Sequence, residues 1–103
     1  MNSNQLPINI PHDKIVAFCQ RNHISKLSLF GSVLRSDFRP NSDIDVLVEF
    51  ISGQCPGFFG LAGMEIELSE MLGRRVDLRT PGELSRYFRQ KVLDSAQVLY
   101  VHR

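Results

Sequence analysis

The sequence lacks several features that would place a protein in a particular class. It has no tryptophan, only two cysteines, and no apolar run that approaches the roughly 20 residues of a membrane-spanning helix. Its first residues, Met1 to Gln5, do not form the basic segment followed by a long apolar segment that marks a secretory signal. These absences predict a cytoplasmic protein that has no membrane partner.

Neither the cysteines nor the net charge points to a ligand. Cys19 and Cys55 are far apart and stand in no metal-ligand spacing, so we expect two free thiols, as is usual in a reducing compartment. The formal net charge is only +1, whereas a dedicated nucleic-acid binder carries an excess of basic residues. We therefore expect neither a disulfide framework nor a direct nucleic-acid partner.

The composition is that of one globular domain. Of the 103 residues, 43% are hydrophobic and 22% charged, and a chain of this length can bury one core but not two. No internal repeat, low-complexity tract or linker divides it. We expect a single domain over residues 1–103, with residues 1–9 loosely ordered.

Hydrophobic periodicity predicts a mixture of helices and strands. Apolar stripes at helical spacing indicate three helices, at 12–23, 61–72 and 84–92. We expect the apolar residues of these stripes, Tyr87 and Phe88 among them, in the core. Alternating or continuous apolar runs indicate strands at 24–30, 43–50, 75–80 and 98–101. This order predicts an α/β (α+β) fold in which three or four strands are backed by helices.

A glycine turn and two acidic residues form the pattern that indicates chemistry. The first predicted strand stops at Gly31-Ser32, and after ten intervening residues the next strand begins with Asp43 and Asp45. Residues i and i+2 of a strand project from one face about 7 Å apart, so both carboxylates can bind a shared cation or a pair of cations. Mg²⁺ and Mn²⁺ prefer oxygen ligands and take further ligands from water and substrate phosphates. The pattern predicts a metal-dependent enzyme with a phosphate-bearing substrate.

Two further features complete the predicted site. Gly31 lets the backbone approach a phosphate, and Ser32 offers a hydroxyl together with an amide if it starts a helical turn. Asp77 lies between Val76 and Leu78 on a later predicted strand. If that strand lies beside the first two aspartates, a third carboxylate can complete a metal site or orient the attacking group.

Together these residues resemble the minimal nucleotidyltransferases (MNT) of the DNA polymerase β superfamily. The mark of that family is Gly-Ser, about ten residues, Asp-x-Asp and a later strand aspartate, and the resemblance covers most of residues 27–81. It implies a mixed sheet of about four strands packed against helices. It also implies Mg²⁺ or Mn²⁺ as cofactor and ATP or another NTP as substrate. The residues implied as catalytic metal ligands are Asp43, Asp45 and Asp77, and those implied as nucleotide-binding are Gly31, Ser32 and Arg35.

The resemblance also implies a reaction and a partner. The family transfers an NMP group, most often AMP, from an NTP to an acceptor hydroxyl and releases pyrophosphate. Such minimal domains are commonly encoded beside a HEPN-domain protein, as the antitoxin of a toxin–antitoxin pair, and the implied acceptor is a tyrosine of that partner. A homodimer or a hetero-complex is expected by the same analogy.

Other interpretations of the same residues remain open at this stage. The protein could neutralise a partner by binding alone, with a weak nucleotide site, or could modify a small molecule or an RNA end. The last is less favoured, because no acceptor domain or basic stripe is evident. Asp45 could be a solvated strand residue, and Asp77 could merely pair on a surface with Arg75 or Arg79.

Overall fold

The computed structural model of the protein describes residues 10–34 and 43–102. Within these ranges the order of elements is helix, strand, strand, helix, strand, helix, strand, as predicted. The three helices are α1 His12–Arg21, α2 Phe58–Leu72 and α3 Arg86–Ser95. The four strands are β1 Ile24–Phe30, β2 Ile44–Phe50, β3 Val76–Arg79 and β4 Gln97–Val101. None of the helices so described has the length and apolar character needed to cross a bilayer.

The helix ends follow from local backbone conformation. α1 stops two residues before the predicted end, because His23 has a φ of 58°, a left-handed conformation that cannot continue a helix. α2 ends at Gly73, which has a φ of 68°, as the sequence predicts for a glycine C-cap. The start of α2 lies three residues before the apolar stripe that predicts it, since Phe58 and Phe59 are helical although both are exposed.

The strands form one mixed sheet in the order β3-β2-β1-β4. β1 pairs antiparallel with β2 and with β4, whereas β2 and β3 run parallel. The register places Phe30 opposite Asp45, and Asp45 opposite Asp77. The mixed four-stranded sheet confirms the predicted fold. The C-terminal end of β1 and the N-terminal ends of β2 and β3 lie together at one end of the sheet.

The two faces of the sheet have different roles. Side chains alternate between the faces of a strand, and one face carries the main core beneath α1 and α2. The sheet residues of that core are Ile24, Leu27, Leu29, Ile44, Val46, Val48 and Val76. On the opposite face Phe30 and Leu47 form a smaller buried cluster with Val92 of α3. Asp45 and Asp77 alternate with core residues of β2 and β3, so they lie on this second face, beside α3.

The prediction for α3 is wrong in one respect. Val92 is buried, but Tyr87 is 87% exposed and Phe88 is 50% exposed, although their spacing assigns both to the core. The reason is that α3 covers only part of the second face. Val92 and the half-buried Leu84 contact the small cluster, whereas Phe88 faces the cavity described below. Helical spacing shows which residues share a face but not what lies opposite that face.

Side chains of α2 hold β3 in place. The backbone N–H of Val76 donates to Ser69 Oγ over 2.9 Å, and the N–H of Leu78 donates to Glu65 Oε2 over 2.8 Å. β3 is an edge strand of the sheet, and edge strands present N–H groups that lack a neighbouring strand. α2 therefore supplies acceptors for two of these donors, on either side of Asp77.

Candidate active site

A cavity of about 640 Å³ lies between the second face of the sheet and α3. This volume is within the usual range for a site that binds a small molecule. Its polar lining consists of Gly31, Asp45, Asp77, Arg79, Lys91 and Ser95. Its apolar lining consists of Phe30, Leu34, Leu84, Phe88 and Val92. The cavity thus combines two carboxylates, two cations and an apolar wall.

Asp45 and Asp77 are the acidic pair of this cavity. They are register partners on the parallel strands β2 and β3, whose backbones are about 4.8 Å apart. Both side chains are only partly exposed and line the same cavity. Two carboxylates at this spacing repel each other unless a cation lies between or beside them. Register thus brings together two residues that are 32 positions apart in the sequence.

Gly31 packs directly against the carboxylate of Asp45. Its φ is 77°, a conformation that side-chain-bearing residues rarely adopt. A Cβ placed on Gly31 would overlap Asp45 Oδ2. In the sequence analysis, the reason for a glycine at this position is that it lets the backbone approach a phosphate. The structure adds a second reason for it, because any side chain here would displace the central acid.

Of the other predicted site residues, Asp43 stands apart from this pair. Asp43 precedes β2, is exposed, and does not line the cavity. Its Oδ2 lies 3.9 Å from Arg75 Nε, and both side chains are well exposed, which makes a weak ion pair. Ser32 belongs to the short 3-10 turn Gly31–Leu34 that follows β1, in agreement with the predicted helical turn. Arg35 lies outside the residues that the structure describes.

Arg79 modifies the charge at Asp77. Its Nη2 donates to Asp77 Oδ2 over 3.2 Å, so the surface ion pair considered from the sequence is present. Both residues nevertheless line the cavity, and Arg79 lies opposite Leu47 in the β2–β3 register. The pairing places a guanidinium beside the acids, where it offsets part of their negative charge.

The donor set of Asp45 and Asp77 suits a small hard cation. Mg²⁺ is commonly bound by one or two carboxylates, and water and substrate phosphate complete its shell. Within residues 10–34 and 43–102, no three His, Cys, Asp or Glu side chains form a group that could hold a metal ion by themselves. Two adjacent carboxylates beside a turn that admits only glycine therefore fit an ion that arrives with a phosphate-bearing substrate.

Sequence reasoning missed the contribution of α3 to the cavity. Phe88, Lys91 and Ser95 all face it, and their spacing of three and four residues is the signal that they share one helical face. A single lysine and a single serine on a helix carry no motif, and Phe88 matches the pattern of a core residue. Only the position of α3 over the acidic pair shows that this face lines the site.

Comparison with known proteins agrees with the site. The sequence profile described as the nucleotidyltransferase domain matches residues 12–99. A proposed protein adenylyltransferase of Methanocaldococcus jannaschii is 33% identical over 89 residues, which cover 86% of this chain and 94% of the relative. The protein adenylyltransferase MntA of Thermococcus cleftensis is 32% identical over 82 residues, which cover 80% of this chain and 79% of the relative.

Solved structures share the fold. A chain of a toxin–antitoxin crystal structure with AMP-PNP superposes with a TM-score of 0.71 at 23% identity, over 91% of this chain and 76% of that chain. A chain from the complex of a tri-AMPylated Shewanella oneidensis HEPN toxin with its MNT antitoxin gives 0.63 at 22% identity, over 88% of this chain and 70% of that chain. The likeness is one of architecture, and the family profile and the sequence relatives carry the assignment. The chain belongs to the nucleotidyltransferase domain family, and it is a minimal nucleotidyltransferase.

Proposed function

We propose that the protein transfers AMP from ATP to a hydroxyl of a partner protein, a tyrosine of a HEPN-type toxin, and acts as the antitoxin of that toxin. One observation carries the enzymatic part of this proposal: Asp45 and Asp77 are register partners that face one cavity. The choice of acceptor is supported by relatives named protein adenylyltransferases. It is also supported by the AMPylated HEPN toxin of the structurally similar complex.

The reaction makes one bond and breaks one. The acceptor oxygen forms a bond to the α-phosphorus of ATP, the bond from that phosphorus to the pyrophosphate oxygen breaks, and the hydroxyl loses its proton. Asp45 and Asp77 would hold Mg²⁺, which would supply charge neutralisation for the phosphates. We propose Asp43 as a further ligand, although its side chain lies outside the cavity in this structure. We assign to Asp77 the additional role of orienting the acceptor hydroxyl and accepting its proton.

The remaining residues position the nucleotide. The turn that begins at Gly31 permits close approach of backbone to phosphate, and we propose that Gly31 and Ser32 bind the polyphosphate, with Arg35 as a further contact. Transfer of this kind depends mainly on positioning and charge neutralisation, so the acids need not form a covalent intermediate. The compartment that we propose is the cytoplasm.

The test is the intact mass of the partner after incubation with the protein, ATP and Mg²⁺. We expect AMP-sized increments with the unmutated chain and none with the Asp43→Asn, Asp45→Asn double variant. Asp13→Asn, which changes an exposed aspartate on α1, is the matched control and should behave as the unmutated chain does. If the double variant neutralises the partner fully without adding mass, neutralisation is by binding alone and the proposed role of transfer is wrong.

A further inference from the structure

One face of α3 is a wall of the cavity. Phe88, Lys91 and Ser95 line it, and Val92 of the same face is 4% exposed. Val92 packs against Phe30 and Leu47 on the sheet. This contact fixes the rotation of α3 about its axis, so the three cavity-lining side chains are held toward the acidic pair.

The two ends of this wall differ in chemistry. At its N-terminal end is the apolar side chain of Phe88, which keeps half of its surface exposed. Leu84, in the turn before α3, also lines the cavity. At its C-terminal end are the ammonium of Lys91 and the hydroxyl of Ser95. Lys91 is three residues after Phe88 and Ser95 is seven residues after it, which on a helix are rises of about 4.5 Å and about 10 Å. The wall therefore changes from apolar to cationic within one turn of α3.

The sheet sets the direction of this gradient. Ala96, directly after α3, packs against the cluster that contains Phe30, and Gln97 pairs with Leu29. The polar end of α3 thus lies beside the strand that leads into Gly31. The other end is tied to the turn after β3, because Arg89 Nε donates to the carbonyl of Pro81 over 2.8 Å.

We propose that this face of α3 orients the nucleotide: the ring of Phe88 stacks on the nucleobase, and the ammonium of Lys91 binds the polyphosphate. The inference rests on the proposed function and adds to it the placement of the NTP. Aromatic rings stack on any nucleobase because every base has a π-face. Lysine binds phosphate as a point charge. Within the described part of the chain, no carboxylate forms an ion pair with Lys91.

The same helix supplies matched controls. Tyr87 precedes Phe88 and is 87% exposed, but it does not line the cavity. Arg86 is an exposed cation on α3 that also lies outside the lining. Tyr87→Ala and Arg86→Gln therefore remove an aromatic ring and a positive charge from α3 without changing the proposed wall.

The experiment measures the equilibrium binding of ATP and of inorganic tripolyphosphate, each with Mg²⁺, by titration calorimetry. We expect Phe88→Ala to weaken ATP binding about tenfold, which is at the low end for loss of one stacked base, and to leave tripolyphosphate binding unchanged. Lys91→Gln should weaken both ligands by a similar factor, since its contact is with phosphate. The two control variants should bind both ligands as the unmutated chain does.

Several results would overturn the inference. If Phe88→Ala binds ATP as the unmutated chain does, the nucleobase lies elsewhere, and the exposed ring of Phe88 would instead serve as a contact for a protein partner. Equal weakening of ATP and tripolyphosphate in Phe88→Ala would indicate a general distortion of the site. Unchanged binding of both ligands by Lys91→Gln would show that Lys91 does not contact the phosphates. If the unmutated chain binds neither ligand, the proposed function itself fails. If it binds ATP and Phe88→Ala has no effect, only this inference fails.

Discussion

Gly31 shows how one backbone position can determine the geometry of the acidic pair. The residue combines a φ of 77° with a contact so close that a Cβ would overlap Asp45 Oδ2. Gly73 has a similar φ of 68°, but a Cβ there would meet no atom within 4 Å. A side chain at Gly73 would therefore strain only the backbone, whereas a side chain at Gly31 would strain the backbone and also displace Asp45.

Alanine substitution at both glycines is the corresponding test. We expect Gly73→Ala to lower the free energy of unfolding by about 1–2 kcal/mol and to leave AMP transfer unchanged. Gly31→Ala should lower it by at least as much and should also reduce AMP transfer about 100-fold, since a displacement of about 1 Å at a catalytic group has an effect of that size. Urea unfolding and partner AMPylation measure the two quantities. Full transfer by Gly31→Ala would show that the position of Asp45 does not depend on this glycine.

The two cysteines should differ strongly in reactivity. Burial raises the pKa of Cys19 to about 12, from an ordinary value of 9.0, whereas Cys55 is exposed. Because the thiolate is the reactive form, a thiol reagent at pH 8 should modify one cysteine per folded chain. The Cys55→Ser variant should react only after unfolding. Modification of Cys19 in the folded chain would show that α1 is not packed as described.

The raised pKa of Cys19 also makes the free energy of unfolding depend on pH. The folded state keeps this thiol protonated where the unfolded state loses the proton, so the favourable contribution is complete below pH 9 and is lost as the pH rises toward 12. We expect the free energy of unfolding to fall over this alkaline range, and to fall less steeply in Cys19→Ala. Equal slopes for the two proteins would contradict the assignment.

At the scale of the elements, β3 depends on α2. Ser69 and Glu65 accept hydrogen bonds from the N–H groups of Val76 and Leu78, and Asp77 lies between these two residues. β3 has only four residues and pairs with a single strand. Its position, and with it the distance between Asp77 and Asp45, is therefore set partly by two side chains of a helix on the opposite face.

Glu65→Ala tests this dependence. Without the carboxylate, the N–H of Leu78 loses its acceptor, which we expect to lower stability by about 1 kcal/mol and to accelerate hydrogen exchange at the Leu78 amide. AMP transfer should fall as well, because Asp77 is less firmly held. Glu70→Ala changes an exposed residue of the same helix and should alter none of these quantities. Unchanged exchange at Leu78 in Glu65→Ala would refute the proposed support of β3.

The elements differ in how far the sequence alone determines them. The order of helices and strands, the glycine cap of α2 and the pairing of Asp45 with a turn at Gly31 follow from local patterns. The neighbourhood of Asp77 and Asp45 does not, because it depends on the β2–β3 register. Phe88 has the spacing of a core residue but is 50% exposed. Periodicity cannot distinguish a face that packs on the sheet from one that lines a cavity.

At the scale of the whole molecule, the sheet separates stability from chemistry. One face carries the main core beneath α1 and α2, while the other carries the acidic pair and is only partly covered by α3. The part of this face that α3 leaves uncovered gives the proposed acceptor, a hydroxyl of a partner protein, a route to the acidic pair. This arrangement favours the proposed transfer of a nucleotidyl group to a partner.

The most direct test of nucleotidyl transfer to the partner uses ATP that is labelled on either the α-phosphate or the γ-phosphate. The labelled ATP is incubated with the protein, the partner and Mg²⁺, and the fate of each label is measured. Nucleotidyl transfer predicts that the α-label becomes bound to the partner, that the γ-label is released in pyrophosphate, and that Asp45→Asn abolishes both events. Transfer of the γ-label would indicate a phosphotransferase. Full neutralisation of the partner with neither label transferred would show that the protein acts by binding, and would contradict the account.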